Sequence, residues 1–151
     1  MDYARQLSAG QTLNADDTVT ASNKAFQLVM QRDGNLVVYH LDAEGERSIP
    51  TWASNTTGNS AAQARLQDDG NLVVYRADGT TPVWASNTAN RRGANLELGD
   101  DGTLVLTLTG RAVWTAHGSG VAQAADQVGS AAESALGSLK DQFSKLTNKP
   151  R

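Results

Sequence analysis

Cysteine is absent from this 151-residue chain, which excludes disulfides and thiolate metal sites. Histidine is scarce: His40 and His117 are the only two, neither lies in a recognisable catalytic motif, and no acid–base constellation accompanies them. No enzyme, catalytic residue or cofactor is therefore expected. Basic residues are outnumbered, with 13 Lys and Arg against 16 Asp and Glu, so the basic stripe that nucleic-acid binding needs is missing. No run approaches the ~20 apolar residues of a spanning helix. The start, Met1 to Gln6, has neither the basic nor the apolar region of a secretory signal, which leaves the cytoplasm and a signal-independent export route both open. Only 3 prolines but 14 glycines, with many Asn, Asp, Ser and Thr, suit short strands separated by frequent turns.

What is present is a repeat. Gln31-Arg32-Asp33-Gly34-Asn35-Leu36-Val37-Val38-Tyr39 recurs as Gln67-Asp68-Asp69-Gly70-Asn71-Leu72-Val73-Val74-Tyr75, and a worn third copy runs from Gly99 to Thr107. A tryptophan segment follows each copy: Trp52-Ala53-Ser54-Asn55-Thr56, Trp84-Ala85-Ser86-Asn87-Thr88 and Trp114-Thr115-Ala116-His117. The central aspartates are 36 and 32 residues apart and the tryptophans 32 and 30, a threefold internal repeat. Asp-Gly-Asn between two strand-like runs predicts a β-hairpin. A three-residue loop of Asp33, Gly34 and Asn35 would set Gln31 opposite Val37 and Val29 opposite Tyr39. Alternation then assigns one face of each hairpin to the core: Leu28, Met30, Leu36 and Val38; Ala64, Leu66, Leu72 and Val74; Leu96, Leu98, Leu104 and Leu106. Upstream, Leu7 to Leu13 and Val19 to Ser22 read as further short strands. Three sheets that each bury one face are satisfied by meeting around a common axis, with the tryptophans at its centre.

The opposite face carries a carboxylate, two amides, a phenol and a valine expected to be exposed. Hydroxyls need mixed donors and acceptors and ring C–H needs a small apolar contact, so the set suits a neutral sugar. The triplicate QxDxNxVxY pattern followed by W-A-S-N-T resembles the bulb-type (monocot-type) mannose-binding lectins over about residues 7 to 117. The resemblance implies an all-β fold, a β-prism of three four-stranded antiparallel sheets, with a shallow metal-free site for mannose on each. Carried over position by position, it implies that Asp33 and Asn35 bind the 2-hydroxyl, that Asn35, Tyr39 and Gln31 bind the 3- and 4-hydroxyls, and that Val37 touches the ring carbons. Asp69, Asn71, Gln67, Tyr75 and Val73 would act likewise in the second sheet.

The third copy departs from the pattern, with Gly99 for Gln, Thr103 for Asn and Thr107 for Tyr, so no mannose site is carried onto it. Plant members also have a cysteine pair; its absence points to a bacterial or otherwise disulfide-free branch. In the family the C-terminal strand, here Arg111 to His117, is often exchanged between partners, which implies a homodimer or higher oligomer and multivalent binding of mannose-rich glycans. Two readings compete with the lectin. Asp68-Asp69 and Asp100-Asp101 bring calcium to mind, but paired neighbours alternate faces on a hairpin, so no metal site is expected. The other is a toxin-like or bacteriocin-like scaffold that binds no sugar and acts on membranes through its tail.

That tail divides the chain at about residue 118. Residues 1–118 form the prism domain and 119–151 an extension, in which Val121, Ala125, Val128, Ala132, Leu136, Leu139, Phe143 and Leu146 recur at about 3.6 residues. This predicts a C-terminal amphipathic helix. Its stripe needs a partner, either protein or, less favoured by its small apolar residues, a membrane surface.

Overall fold

The computed structural model describes residues 1–116; His117 and the expected helix over 121–146 lie outside them. Among the described residues all regular structure is β: β1 (Asp2–Ala4), β2 (Gln6–Leu7), β3 (Thr12–Leu13), β4 (Thr18–Thr20), β5 (Phe26–Met30), β6 (Leu36–Leu41), β7 (Arg47–Ala53), β8 (Gln63–Leu66), β9 (Leu72–Tyr75), β10 (Pro82–Ala85), β11 (Asn95–Leu98), β12 (Leu104–Leu108) and β13 (Arg111–Ala116). They form three sheets, ordered β1-β4-β5-β6-β7, β10-β9-β8-β3 and β13-β12-β11-β2.

Each repeat supplies three antiparallel strands, and the N-terminal segment supplies the fourth strand of every sheet. The expected single strand from Leu7 to Leu13 is in fact two. Leu7 pairs with Leu96 in the third sheet and Leu13 with Ala64 in the second, so this short stretch stitches two sheets together. The first sheet has five strands rather than four, because β1 adds in parallel to β4 with Tyr3 opposite Val19.

The hairpin register also differs from the expected one. Met30 pairs with Leu36 and Val29 with Val37, so the loop is 31–35, closed by the Gln31 N–H on the Asn35 carbonyl at 3.0 Å. The slip is two residues, the strand period, and every side chain therefore keeps its expected face. All twelve inward residues named from alternation are at most 3% exposed.

Across the sheets the inward rows are equivalent: Val19–Leu28–Val38–Trp52, Leu13–Ala64–Val74–Trp84 and Leu7–Leu96–Leu106–Trp114. The tryptophans meet edge to face in all three pairings, with centroids 5.5, 5.9 and 5.8 Å apart. Edge-to-face pairs contribute about 0.5–1.5 kcal/mol each beyond area burial. Trp114 belongs to β13, which completes its own sheet against β12 in the same chain.

Candidate functional site

Opposite these core rows lie the outward rows Thr18–Val29–Val37–Ala53, Thr12–Arg65–Val73–Ala85 and Gln6–Glu97–Val105–Thr115. The motif valine is third in each. Gln31, Asp33, Asn35, Val37 and Tyr39 gather on the first of these faces, and Gln67, Asp69, Asn71, Val73 and Tyr75 on the second.

Each aspartate first makes its turn. Asp33 Oδ1 accepts the Asn35 N–H, Asp69 Oδ1 that of Asn71, and Asp101 Oδ1 that of Thr103, all at 2.9 Å. The Thr103 bonds hold the Asp101 carboxyl below its ordinary range. Retention of Asp101 in the worn copy is thus explained by the turn; in the second sheet the other oxygen of the motif aspartate, Asp69 Oδ2, accepts the Gln67 Nε2–H at 3.3 Å. Gly34 and Gly70 stand at φ 93° and 90°, and a Cβ on either would collide with the carbonyl of Asn59 or Arg91 from the loop beyond the tryptophan segment. That loop docks on the motif turn: the Asp33 carbonyl accepts the Gly58 N–H at 2.9 Å and the Asp69 carbonyl that of Arg91 at 2.9 Å.

The two asparagines are held by residues that lie outside the motif. Asn71 Oδ1 accepts the Thr88 N–H and the Ser86 hydroxyl, both at 3.2 Å. Ser86 Oγ also accepts the Leu72 N–H at 3.0 Å and lies 2.7 Å from the Thr88 hydroxyl, which donates to the Gly70 carbonyl at 2.7 Å. The first sheet repeats this with Thr56 N–H at 3.2 Å and Ser54 Oγ at 3.3 Å on Asn35 Oδ1. A backbone N–H must meet an acceptor, so Oδ1 is committed and Nδ2 is left as the amide's remaining donor. Sequence reasoning missed these Ser and Thr roles; their signal is the verbatim A-S-N-T, lost in the third repeat as Ala116 together with the Asn-to-Thr103 change.

The valines are not exposed as expected. Val37 is 0% and Val73 3% accessible. The cause is the glutamine–tyrosine pair, which bonds across the rung that carries the valine: Gln31 Nε2 donates to Tyr39 Oη at 2.6 Å, and Tyr75 Oη donates to Gln67 Oε1. The two sites otherwise differ. In the first, Asn35 is 0% exposed, and Asn35 Nδ2 and Gln31 Oε1 are buried without partners. Burial also raises the Tyr39 phenol above its ordinary value. In the second, Gln67, Asp69, Asn71 and Tyr75 are all half-buried, Gln67 Nε2 reaches Asp69 at 3.3 Å, and the Arg65 guanidinium lies 4.7 Å over the Tyr75 ring. Among the described residues no cluster of His, Asp and Glu has the arrangement to hold a metal ion.

Solved structures resemble this chain over most of the described fold. It is 34% identical to monomeric monocot mannose-binding lectins from Gastrodia elata, covering 74% of this chain and 94% of that one at a TM-score of 0.62. It is 35% identical to the mannose-specific agglutinin from snowdrop (Galanthus nivalis) bulbs complexed with methyl-α-D-mannoside, covering 71% and 92% at 0.60. Tarin lectin bound to trimannose is 37% identical over 73% and 92%, at 0.56. No family model and no curated protein matches the chain. Three sheets, the repeated outer-face motif and these identities together place the chain in the family of monocot mannose-binding lectins, with their β-prism fold.

Proposed function

We propose that the protein is a non-enzymatic lectin that binds mannose or mannose-containing glycans at two metal-independent sites, one on the outer face of each of the first two sheets. The observation that carries the reading is the pinned asparagine: in both sheets a serine and a threonine backbone N–H commit Oδ1 and leave Nδ2, the second Asp oxygen, the Gln amide and the Tyr hydroxyl around one valine. In the second site sugar hydroxyls take over the bonds that Gln67 makes to Tyr75 and Asp69. The first opens by breaking the Gln31–Tyr39 bond, and sugar hydroxyls then satisfy Asn35 Nδ2 and Gln31 Oε1. A shallow monosaccharide site should sit near the millimolar range, about −4 kcal/mol, so useful binding needs several sites on one glycan surface. Exchange of β13 between two chains reproduces the Trp114 contacts in trans and doubles the number of sites.

Calorimetry with methyl α-mannoside tests this. Asn71→Asp keeps the Oδ1 acceptor and removes the Nδ2 donor, so it should eliminate the second site; the Asn35→Asp, Asn71→Asp double variant should show no binding. Unchanged binding in a folded double variant refutes the assignment. Treatment with EDTA should leave the affinity of the unmodified protein unchanged.

A further inference from the structure

The third sheet is where the motif has lapsed, yet beside its motif turn lies a cavity of about 260 Å³ lined by the outer-face residues Glu97, Gly99 and Val105 together with Leu98, Asp100, Arg5 and Ser22. Val105 is the equivalent of Val37 and Val73, and Gly99 stands where Gln31 and Gln67 stand. With Gly99 and Thr107 in place of glutamine and tyrosine, no side-chain bond crosses the valine rung, and Val105 is half-buried where its counterparts are covered. Loss of the mannose motif has uncapped the floor of a pocket.

Its walls differ in chemistry from the other two faces. The residue paired across from the motif valine is Val29 in the first sheet, Arg65 in the second and Glu97 in the third. Glu97 is fixed by the Thr107 hydroxyl, which donates to Oε2 at 2.6 Å, leaving Oε1 without a partner among the described residues. Asp100 is fixed by the Asn23 N–H on Oδ1 at 2.9 Å. Arg5 is anchored through its backbone, its carbonyl accepting the Leu98 N–H at 2.9 Å, and its guanidinium has no ion-pair partner among the described residues. The motif's amide donors are gone. Two carboxylates and one guanidinium line the cavity, so acceptors are in excess and the lining carries a net negative charge.

The geometry points to a third binding site on this sheet for a hydroxyl-bearing ring with a protonated amine, the chemistry of an unacetylated amino sugar, its C–H face on Val105, its ammonium on Glu97 with the charge of Asp100 adding to the attraction, and a hydroxyl oxygen on Arg5. The volume lies just under the ~300 Å³ at which small-molecule pockets begin, which admits one ring. Bonds from an ammonium to a carboxylate are about twice as strong as neutral ones, so the charge decides between an amine and its acetylated form. This goes beyond the mannose reading and relies on it only for the idea that a ring lies flat on the motif valine.

The test is calorimetry on the full chain at about pH 6, where an amine of pKa near 8 is protonated, with D-glucosamine, N-acetyl-D-glucosamine and methyl α-D-mannoside as probes. Glucosamine should bind once per chain, undiminished by saturating mannoside, and N-acetylglucosamine about tenfold or more weaker. Glu97→Gln, which keeps the shape and the Thr107 bond, should weaken glucosamine about tenfold and leave mannoside binding unchanged. Gly99→Gln should abolish glucosamine binding by restoring a side chain over Val105. Gly99 has an ordinary φ, and its Cβ would meet only the Asp101 carboxylate oxygen closely, at 3.0 Å. Absence of glucosamine binding to about 50 mM, displacement by mannoside, equal affinity for the acetylated sugar, or unchanged affinity in Glu97→Gln each overturns the inference. The mannoside arm reports separately on the other two sites.

Discussion

Ser86→Ala removes one hydroxyl that serves three partners: it accepts from the Leu72 N–H at 3.0 Å, donates to Asn71 Oδ1 at 3.2 Å and lies 2.7 Å from Thr88 Oγ1. Ser86 is 8% exposed, so water has little access to the N–H left behind, and an unsatisfied buried donor costs about 1–3 kcal/mol. For a fold of this size that is a fall in Tm of roughly 3–10 °C. Asn71 retains the Thr88 N–H but loses its second restraint, so its amide can swing and mannoside affinity at this site should fall by a few-fold. The assay is a thermal melt together with calorimetry in an Asn35→Asp background, where only the second site reports. Ser86→Thr, which keeps a hydroxyl, should restore the greater part of both effects. With Asn71→Asp added to that background, Ser86→Ala should still lower Tm while having no binding left to reduce. A Ser86→Ala protein with unchanged Tm and unchanged affinity refutes the hold of the tryptophan segment on the Asn71 amide and the part proposed for that amide in sugar binding.

Trp52 is 1% exposed and touches both other indoles, so Trp52→Ala should cost about 3–5 kcal/mol by denaturant unfolding, more than the same change at the half-buried Trp84. Gly34→Ala combines a left-handed φ of 93° with a collision at the Asn59 carbonyl, and should destabilise by about 2 kcal/mol or more in the same measurement. Tyr39 is raised by burial, so the folded state holds its proton longer than the unfolded chain. Its contribution is complete below the ordinary phenol value of 10.0 and is lost as pH rises through the folded pKa, and Tyr39→Phe should remove that alkaline loss in pH-dependent melts. Deleting the chain after Gly120 should leave mannoside affinity per site unchanged and lower the oligomeric order seen by light scattering. An unchanged oligomer, with liposome binding confined to the full chain, would instead make the tail a membrane effector.

Alternation by itself determined which residues face the core. Leu28, Val38, Leu66 and Leu104 are buried as their positions require, even though the hairpin register lies two residues from the one a three-residue loop implies. A period of two is insensitive to a slip of two, which is why the faces survived a wrong register. The threefold repeat likewise determined the number of sheets, because each copy carries its own apolar face to bury. Tertiary structure alone decided the rest. The division of residues 6–13 between two sheets, and the fifth strand at Asp2–Ala4, depend on which distant edge is free to pair, and nothing local to those residues encodes it. Burial of Val37 follows from a hydrogen bond between residues eight apart whose reach across a rung appears only when the sheet is formed. Ser86 and Thr88 lie 15 and 17 residues from the Asn71 they restrain, and Arg5 lines one cavity with Glu97, far away in the sequence. Such juxtapositions are set by the packing of three sheets around one axis, whereas a linear motif records only what each strand presents.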